Sequence, residues 1–238
     1  MSATALHRLP PFAAGLTLGD VVFRIRGGLR LASRTRDLLL VLAGTLILIA
    51  GAYISFTVPQ IAIAGVYVPV NDYVPLTLQT FGVLFTGAAL GVRRGVASTL
   101  IYLAIGALGF PVFAAGSDGI HASGMDTIAT IDSGRIVLGV TGGYLIGFLL
   151  AGAVVGRAAE LGWDRRLRSS VVAMLVGTIV IYAVGLPWLA IAANLSVDDA
   201  LRYGLFPFVP GDLLKLALAA GCLPVAWRLL ARLDGGRS

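Results

Sequence analysis

Long apolar runs separated by short charged segments organise this chain. After Asp37 the run LLLVLAGTLILIAGAYISFTV is uncharged for 21 residues, enough to cross the hydrocarbon core of a bilayer with some tilt. Three prolines together with Asn71 and Asp72 mark residues 59–75 as a loop. Two further runs, 76–91 and 96–113, predict a second and a third helix separated by Arg93 and Arg94, with Gly109 and Pro111 breaking the end of the third. A polar loop with Asp118, Asp126 and Asp132 leads to a fourth helix over 136–155, which stops before Arg157, Arg165, Arg166 and Arg168. Residues 171–193 predict a fifth helix. A loop with Asp198, Asp199, Arg202 and the segment FPFVPGD precedes a sixth, over 211–230. GFPVF (109–113) and GLPWL (185–189) both read as proline-broken helix ends.

Composition turns this pattern into a class. Hydrophobic residues make up 58% of the 238 and charged residues 13%, with a mean hydropathy of +0.91, values that exclude a water-soluble domain or a disordered chain. Cys222 is the only cysteine, which excludes a disulfide scaffold. The reading is an all-α membrane protein, a bundle of six transmembrane helices. Gly143, Gly147 and Ala151, with Gly152 and Gly156, form a small-residue seam for close helix packing on the fourth helix.

Charge sets the orientation. The +6 balance comes from 17 Arg and a single Lys, and the arginines sit in separate short loops instead of one patch, so nucleic acid is not the partner implied. With both termini cytoplasmic, 15 Arg fall inside and two, Arg135 and Arg202, outside, while six acids occupy the outer loops. Residues 1–37 are a basic cytoplasmic extension with six Arg against Asp20 and Asp37, and lack the apolar core of a cleaved signal peptide. Residues 38–231 form the membrane domain and 232–238 a cytoplasmic tail. The expected location is the plasma membrane, as a multi-pass protein.

Apart from Arg228 near the inner end of the sixth helix, which counts with the tail, only Asp212 and Lys215 carry charge inside a predicted span, where an ionisable group costs about 2.5–3.5 kcal/mol on insertion scales. Three residues apart on a helix, they share a face. Two readings stand. The pair neutralises itself near a helix start opened by Pro210, or it faces a ligand that carries both N–H donors and a carbonyl or carboxylate. That the lone lysine of an arginine-rich chain stands here favours a point-charge contact. Thr77, Gln79 and Thr80 in VPLTLQT form a second polar set near the same outer surface, and serve either a ligand or their own helices. Tyr144, Phe113, Phe206, Phe208 and Trp188 lie toward the outer helix ends, as a belt or as an apolar wall. Arg135 is an anchor or an anion partner.

Several chemistries have no support. The only lysine is in GDLLKL, so no P-loop exists and the chain does not bind ATP in that manner. His7 and His121 have no second His or Cys near them in sequence, and no Ser stands in a G-x-S-x-G context, so no metal, cofactor or catalytic set is expected.

VPLTLQTF (74–81), GALGFPVFA (106–114), TGGYLIGF (141–148) and PFVPGDLLK (207–215) occur in the order found in the BioY family, which the chain resembles over about residues 38–230. BioY proteins are the biotin-binding S components of energy-coupling factor (ECF) vitamin transporters. The resemblance implies a six-helix fold binding biotin from the outside, with no enzymatic activity of its own. A separate membrane coupling protein and an ATPase pair would supply the energy. Asp212 and Lys215 fall on the family's ligand-contacting acid and lysine, implying that Asp212 takes ureido N–H groups and Lys215 an oxygen. Three departures stand out. The loop between Pro111 and Tyr144 looks longer than the family's. Val140 replaces a proline. The alanine pair for docking the coupling protein is absent from the first helix, where Gly51 and Ser55 give a similar face. The alternatives are an S component for another small vitamin or, from a different class, an intramembrane enzyme or structural membrane subunit.

Overall fold

The computed structural model describes residues 15–25, 32–55, 62–63, 66–67, 76–116 and 119–235. Asn71, Asp72, Asp118, most of the 59–75 loop, residues 1–14 and 26–31 of the basic extension, and the last three residues of the tail lie outside the described residues. Among the described residues the chain is mostly helical: α1 (Leu18–Ile25), α2 (Ser33–Tyr53), α3 (Gln79–Ala107), α4 (Gly142–Glu160), α5 (Leu167–Ala192), α6 (Val197–Gly204) and α7 (Val209–Gly235). Two small antiparallel hairpins complete it, β1 (Ala62–Ile63) with β2 (Val66–Tyr67), and β3 (Ala129–Asp132) with β4 (Arg135–Leu138). Five of the helices, α2, α3, α4, α5 and α7, are long and apolar enough to cross a membrane.

The predicted second and third helices are the two halves of α3, which breaks at Gly91. That residue has φ 80° and ψ 179°, a conformation open essentially to glycine alone. In a straight helix residues eight apart are about 12 Å apart, whereas a Cβ on Gly95 would stand 3.0 Å from the Cα of Gly87. The chain therefore reverses at Gly91, with Arg93 and Arg94 already inside the returning segment. The exposed backbone is capped from elsewhere, because Glu160 Oε1 accepts the Val92 N–H at 3.0 Å.

The seam on α4 serves two partners. A Cβ on Gly87 would meet the Gly152 carbonyl oxygen at 2.7 Å, and one on Gly147 would meet the Ile181 backbone at 3.0 Å. The Gly152 face thus closes on α3 and the Gly147 face on α5, with α4 at the centre of a core that includes Leu84, Tyr102, Phe148 and Met174. Of the small face expected to dock a partner, Gly51 is buried against the Gln79 backbone at the start of α3, while Ser55 is exposed and bridges to Thr77.

The predicted fourth helix begins later than expected. Residues 136–138 belong to β4, paired with β3 in the register Asp132↔Arg135. Ser133 and Gly134 both have positive φ, 50° and 78°, as a two-residue type I′ turn requires. The loop between Pro111 and Tyr144 holds this hairpin and a 3-10 turn at Met125–Thr127. α5 ends at Ala192, close to the expected 193, and runs through Pro187, so GLPWL does not break it. Ser196 caps α6, accepting the Asp199 N–H at 3.1 Å.

Part of the basic extension is a helix docked on the arginine-rich end of the bundle. On α1, Val21 packs on Trp227 near the end of α7, so both ends of the described chain lie on one side. Asp20 pairs with Arg94 at 2.9 Å, and Arg94 also reaches Asp37 at 2.8 Å, tying α1, α2 and α3 together. Burial alone would raise the Asp20 carboxyl. Hydrogen bonds from Arg94 and Thr17 outweigh it and hold the group below its usual range.

Candidate binding site

At the opposite end the helices part around a cavity of about 400 Å³, within the range of small-ligand sites. Thr77, Gln79 and Thr80 at the head of α3 form one wall, and Tyr144, Leu145 and Phe148 of α4 another. Ile181 and Tyr182 of α5, with Phe208 and Lys215 from the start of α7, form the rest. The loop that follows α3 lies across it, contributing Phe113, Ser123, Asp126 and Thr127. Gly139 and Thr141 at the approach to α4 also line it, and Trp188 Nε1 holds the Gly139 carbonyl at 2.8 Å.

The charged pair sits at the base of this space. Lys215 is 6% and Asp212 8% exposed, so both need internal partners. Lys215 Nζ lies 3.1 Å from Asp212 Oδ1 and 3.3 Å from Thr80 Oγ1. Asp212 accepts further bonds from Thr80 Oγ1 at 3.3 Å and from the Tyr182 hydroxyl. A carboxylate only accepts, and here three side chains of the protein already donate to it. An ammonium has three protons, of which Asp212 and Thr80 use two, and Lys215 lines the cavity where Asp212 does not. The arrangement presents a charged donor to a ligand oxygen, with the aspartate behind it as counter-ion.

Four of the six residues expected from sequence meet here as cavity lining: Thr77, Gln79, Tyr144 and Lys215. Asp212 joins them through Lys215. Thr77 Oγ1 accepts the Gln79 backbone N–H at 3.2 Å, and Tyr144 donates to the Gly204 carbonyl at 2.9 Å, which frees its ring to wall the space. Arg135 stands elsewhere, exposed on β4 opposite Asp132, and does not line the cavity. Of the outer aromatics, Phe113 and Phe208 line the cavity, Trp188 braces its edge and Phe206 is exposed.

Sequence reasoning passed over Tyr182 and Tyr102. A tyrosine within a long apolar run carries a hydroxyl that must find a partner once buried, and that was the available signal. Asp126, by sequence one acid among several in an outer loop, lines the loop side of the cavity.

The BioY family model matches residues 25–232. A protein of Rhizobium etli named biotin transporter BioY is 31% identical over 193 residues, covering 78% of this chain and 90% of that one. A Thermotoga maritima protein of the same name is 34% identical over 172 residues, 69% of this chain and 87% of the other. Among solved structures, the S-component for biotin from an ECF-type ABC transporter superposes with a TM-score of 0.60 at 22% identity, covering 86% of this chain and 95% of its own, a likeness of fold. The chain belongs to the BioY family.

Proposed function

We propose that this protein takes up biotin across the plasma membrane as the substrate-binding S component of an ECF-type transporter. Its place in the BioY family supports the reading, as does the Rhizobium etli relative named a biotin transporter. The observation that carries it in this chain is the Lys215 ammonium, backed by Asp212 and facing a cavity otherwise walled largely by aromatic and aliphatic side chains. Biotin offers what such a space accepts: a carbonyl or carboxylate oxygen for the lysine, ureido N–H groups for amide and hydroxyl acceptors, and an apolar ring and chain for the aromatic walls.

Counting the two antiparallel halves of α3 as separate crossings gives six, with both termini on the cytoplasmic side where the arginines concentrate. The cavity then opens outward. Uptake against a gradient requires energy from a membrane coupling protein and an ATPase pair. The protein contributes binding and reorientation, with no chemical step.

Labelled-biotin uptake tests this in a biotin-requiring bacterial strain that lacks its own importer, expressing the chain together with a coupling protein and ATPases of the ECF type. Saturable uptake, competed by unlabelled biotin and lost in Lys215→Met, is the expected result. Uptake no greater than in cells without the chain contradicts it.

A further inference from the structure

Tyr102 lies behind the cavity wall, fully buried, and its ring meets that of Phe113 edge-on with centroids 5.5 Å apart. Its hydroxyl touches two groups, the Val112 carbonyl oxygen at 3.2 Å and the side-chain amide of Gln79. A carbonyl cannot donate, so the single phenolic proton goes to Val112 and the hydroxyl oxygen can only accept from Gln79. That requirement orients the amide, with Nε2 toward Tyr102 and Oε1 on the far side. Turning the amide over would set Oε1 against the phenolic oxygen, or draw the proton away and leave the buried Val112 carbonyl with no other hydrogen bond among the described residues.

Gln79 itself is anchored. Its backbone N–H goes to Thr77 Oγ1, it lines the cavity, and its Oε1 has no protein partner among the described residues. We infer that Tyr102 is a positioning residue that fixes Gln79 as a hydrogen-bond acceptor toward the cavity, so that the site selects a ligand with an N–H at this wall and an oxygen at Lys215. This rests on the biotin reading above and adds the element that separates a cyclic urea from an isostere without N–H. A free glutamine amide would present NH₂ or oxygen with equal ease and could not discriminate between them.

A double-mutant cycle on biotin affinity tests the inference, by calorimetric titration of full-length protein in detergent with wild type, Tyr102→Phe, Gln79→Leu and the double variant. Tyr102→Phe is expected to weaken biotin binding about tenfold when Gln79 is present, and less than twofold in the Gln79→Leu background. Equal losses in both backgrounds, or no loss in either, overturn the inference while leaving the biotin reading intact. A wild-type protein that does not bind biotin overturns both. If Tyr102→Phe does not yield folded protein, biotin methylated on its ureido nitrogens is compared with biotin in wild type and Gln79→Leu. A methylation penalty that shrinks at least fivefold in Gln79→Leu supports the acceptor role, and an unchanged penalty overturns it.

Discussion

The ammonium of Lys215 lies 3.1 Å from Asp212 Oδ1, and of the two it is the lysine that faces the cavity. In the function proposed, the pair divides its labour by depth, the lysine meeting ligand and the aspartate backing it as counter-ion. Removing one partner leaves a buried charge without its counter-ion, a loss of about 3–5 kcal/mol in folded proteins, whereas removing both is far less costly. Asp212→Asn should therefore lower the melting temperature in detergent, and Asp212→Asn combined with Lys215→Met should recover much of it without recovering biotin binding. Equal melting temperatures for the single and double variants would contradict this coupling.

Tyr182 donates to the oxygen of Asp212 that Lys215 does not use. Tyr182→Phe keeps the ring and deletes that bond, so the carboxylate is less firmly held and the lysine less well aimed. Biotin affinity should fall by about 1–2 kcal/mol, the scale of a hydrogen bond to a charged group. The check is a titration in parallel with Trp163→Phe, which alters an exposed side chain at the arginine-rich end, outside the cavity lining, and should leave affinity unchanged.

The reversal at Gly91 makes a separate prediction about stability. An alanine there must adopt φ 80° with ψ 179°, and its Cβ would come within 2.9 Å of Glu160 Oε1 and Thr17 Cγ2. Gly91→Ala should cost at least about 1–3 kcal/mol. Glu160→Ala, which orphans the Val92 N–H, should cost about 1–2 kcal/mol. Thermal unfolding of both variants measures this, and wild-type stability in either would mean the reversal is not held as described.

Asp164 gives a pH signature at the arginine-rich end. It is buried, accepts from Trp227 Nε1 at 2.5 Å, and its other oxygen has no partner among the described residues. Burial pushes its carboxyl up to about 6, against the pull of the Trp227 hydrogen bond and the Arg165 charge. A group whose folded pKa lies above its unfolded one binds the proton more tightly when folded. Its contribution is therefore present below pH about 4 and is lost as pH rises to about 6, by roughly 3 kcal/mol. Asp164→Asn, which still offers Trp227 an oxygen, should flatten this part of the melting profile and raise stability at pH 8. A variant with the wild-type slope would contradict the assignment.

The spans were legible because bilayer thickness forces about twenty apolar residues into each crossing, and Asp212 and Lys215 because charge inside such a run is costly. The reversal inside α3 was half legible. Arg93 and Arg94 marked a break, but the turn is made by one glycine whose capping carboxylate comes from Glu160, far along the chain. The β3–β4 hairpin had its signal in Ser133-Gly134 between apolar stretches, which a search for membrane-length helices read through. Tyr102 and Tyr182 were not legible as site residues. Each hydroxyl finds its side-chain partner 23 or 30 residues away, that of Tyr102 on the opposite half of α3 and that of Tyr182 on α7, a relation that packing creates and periodicity does not record.

Calorimetric titration of biotin into purified wild type and Lys215→Met in detergent tests the central claim most directly, with melting curves to establish that both are folded. Wild type is expected to bind one biotin per chain and the variant to lose at least about 1.5–3 kcal/mol, the size of a charged hydrogen bond. Equal affinity in the two folded proteins, or no binding to wild type, would contradict it.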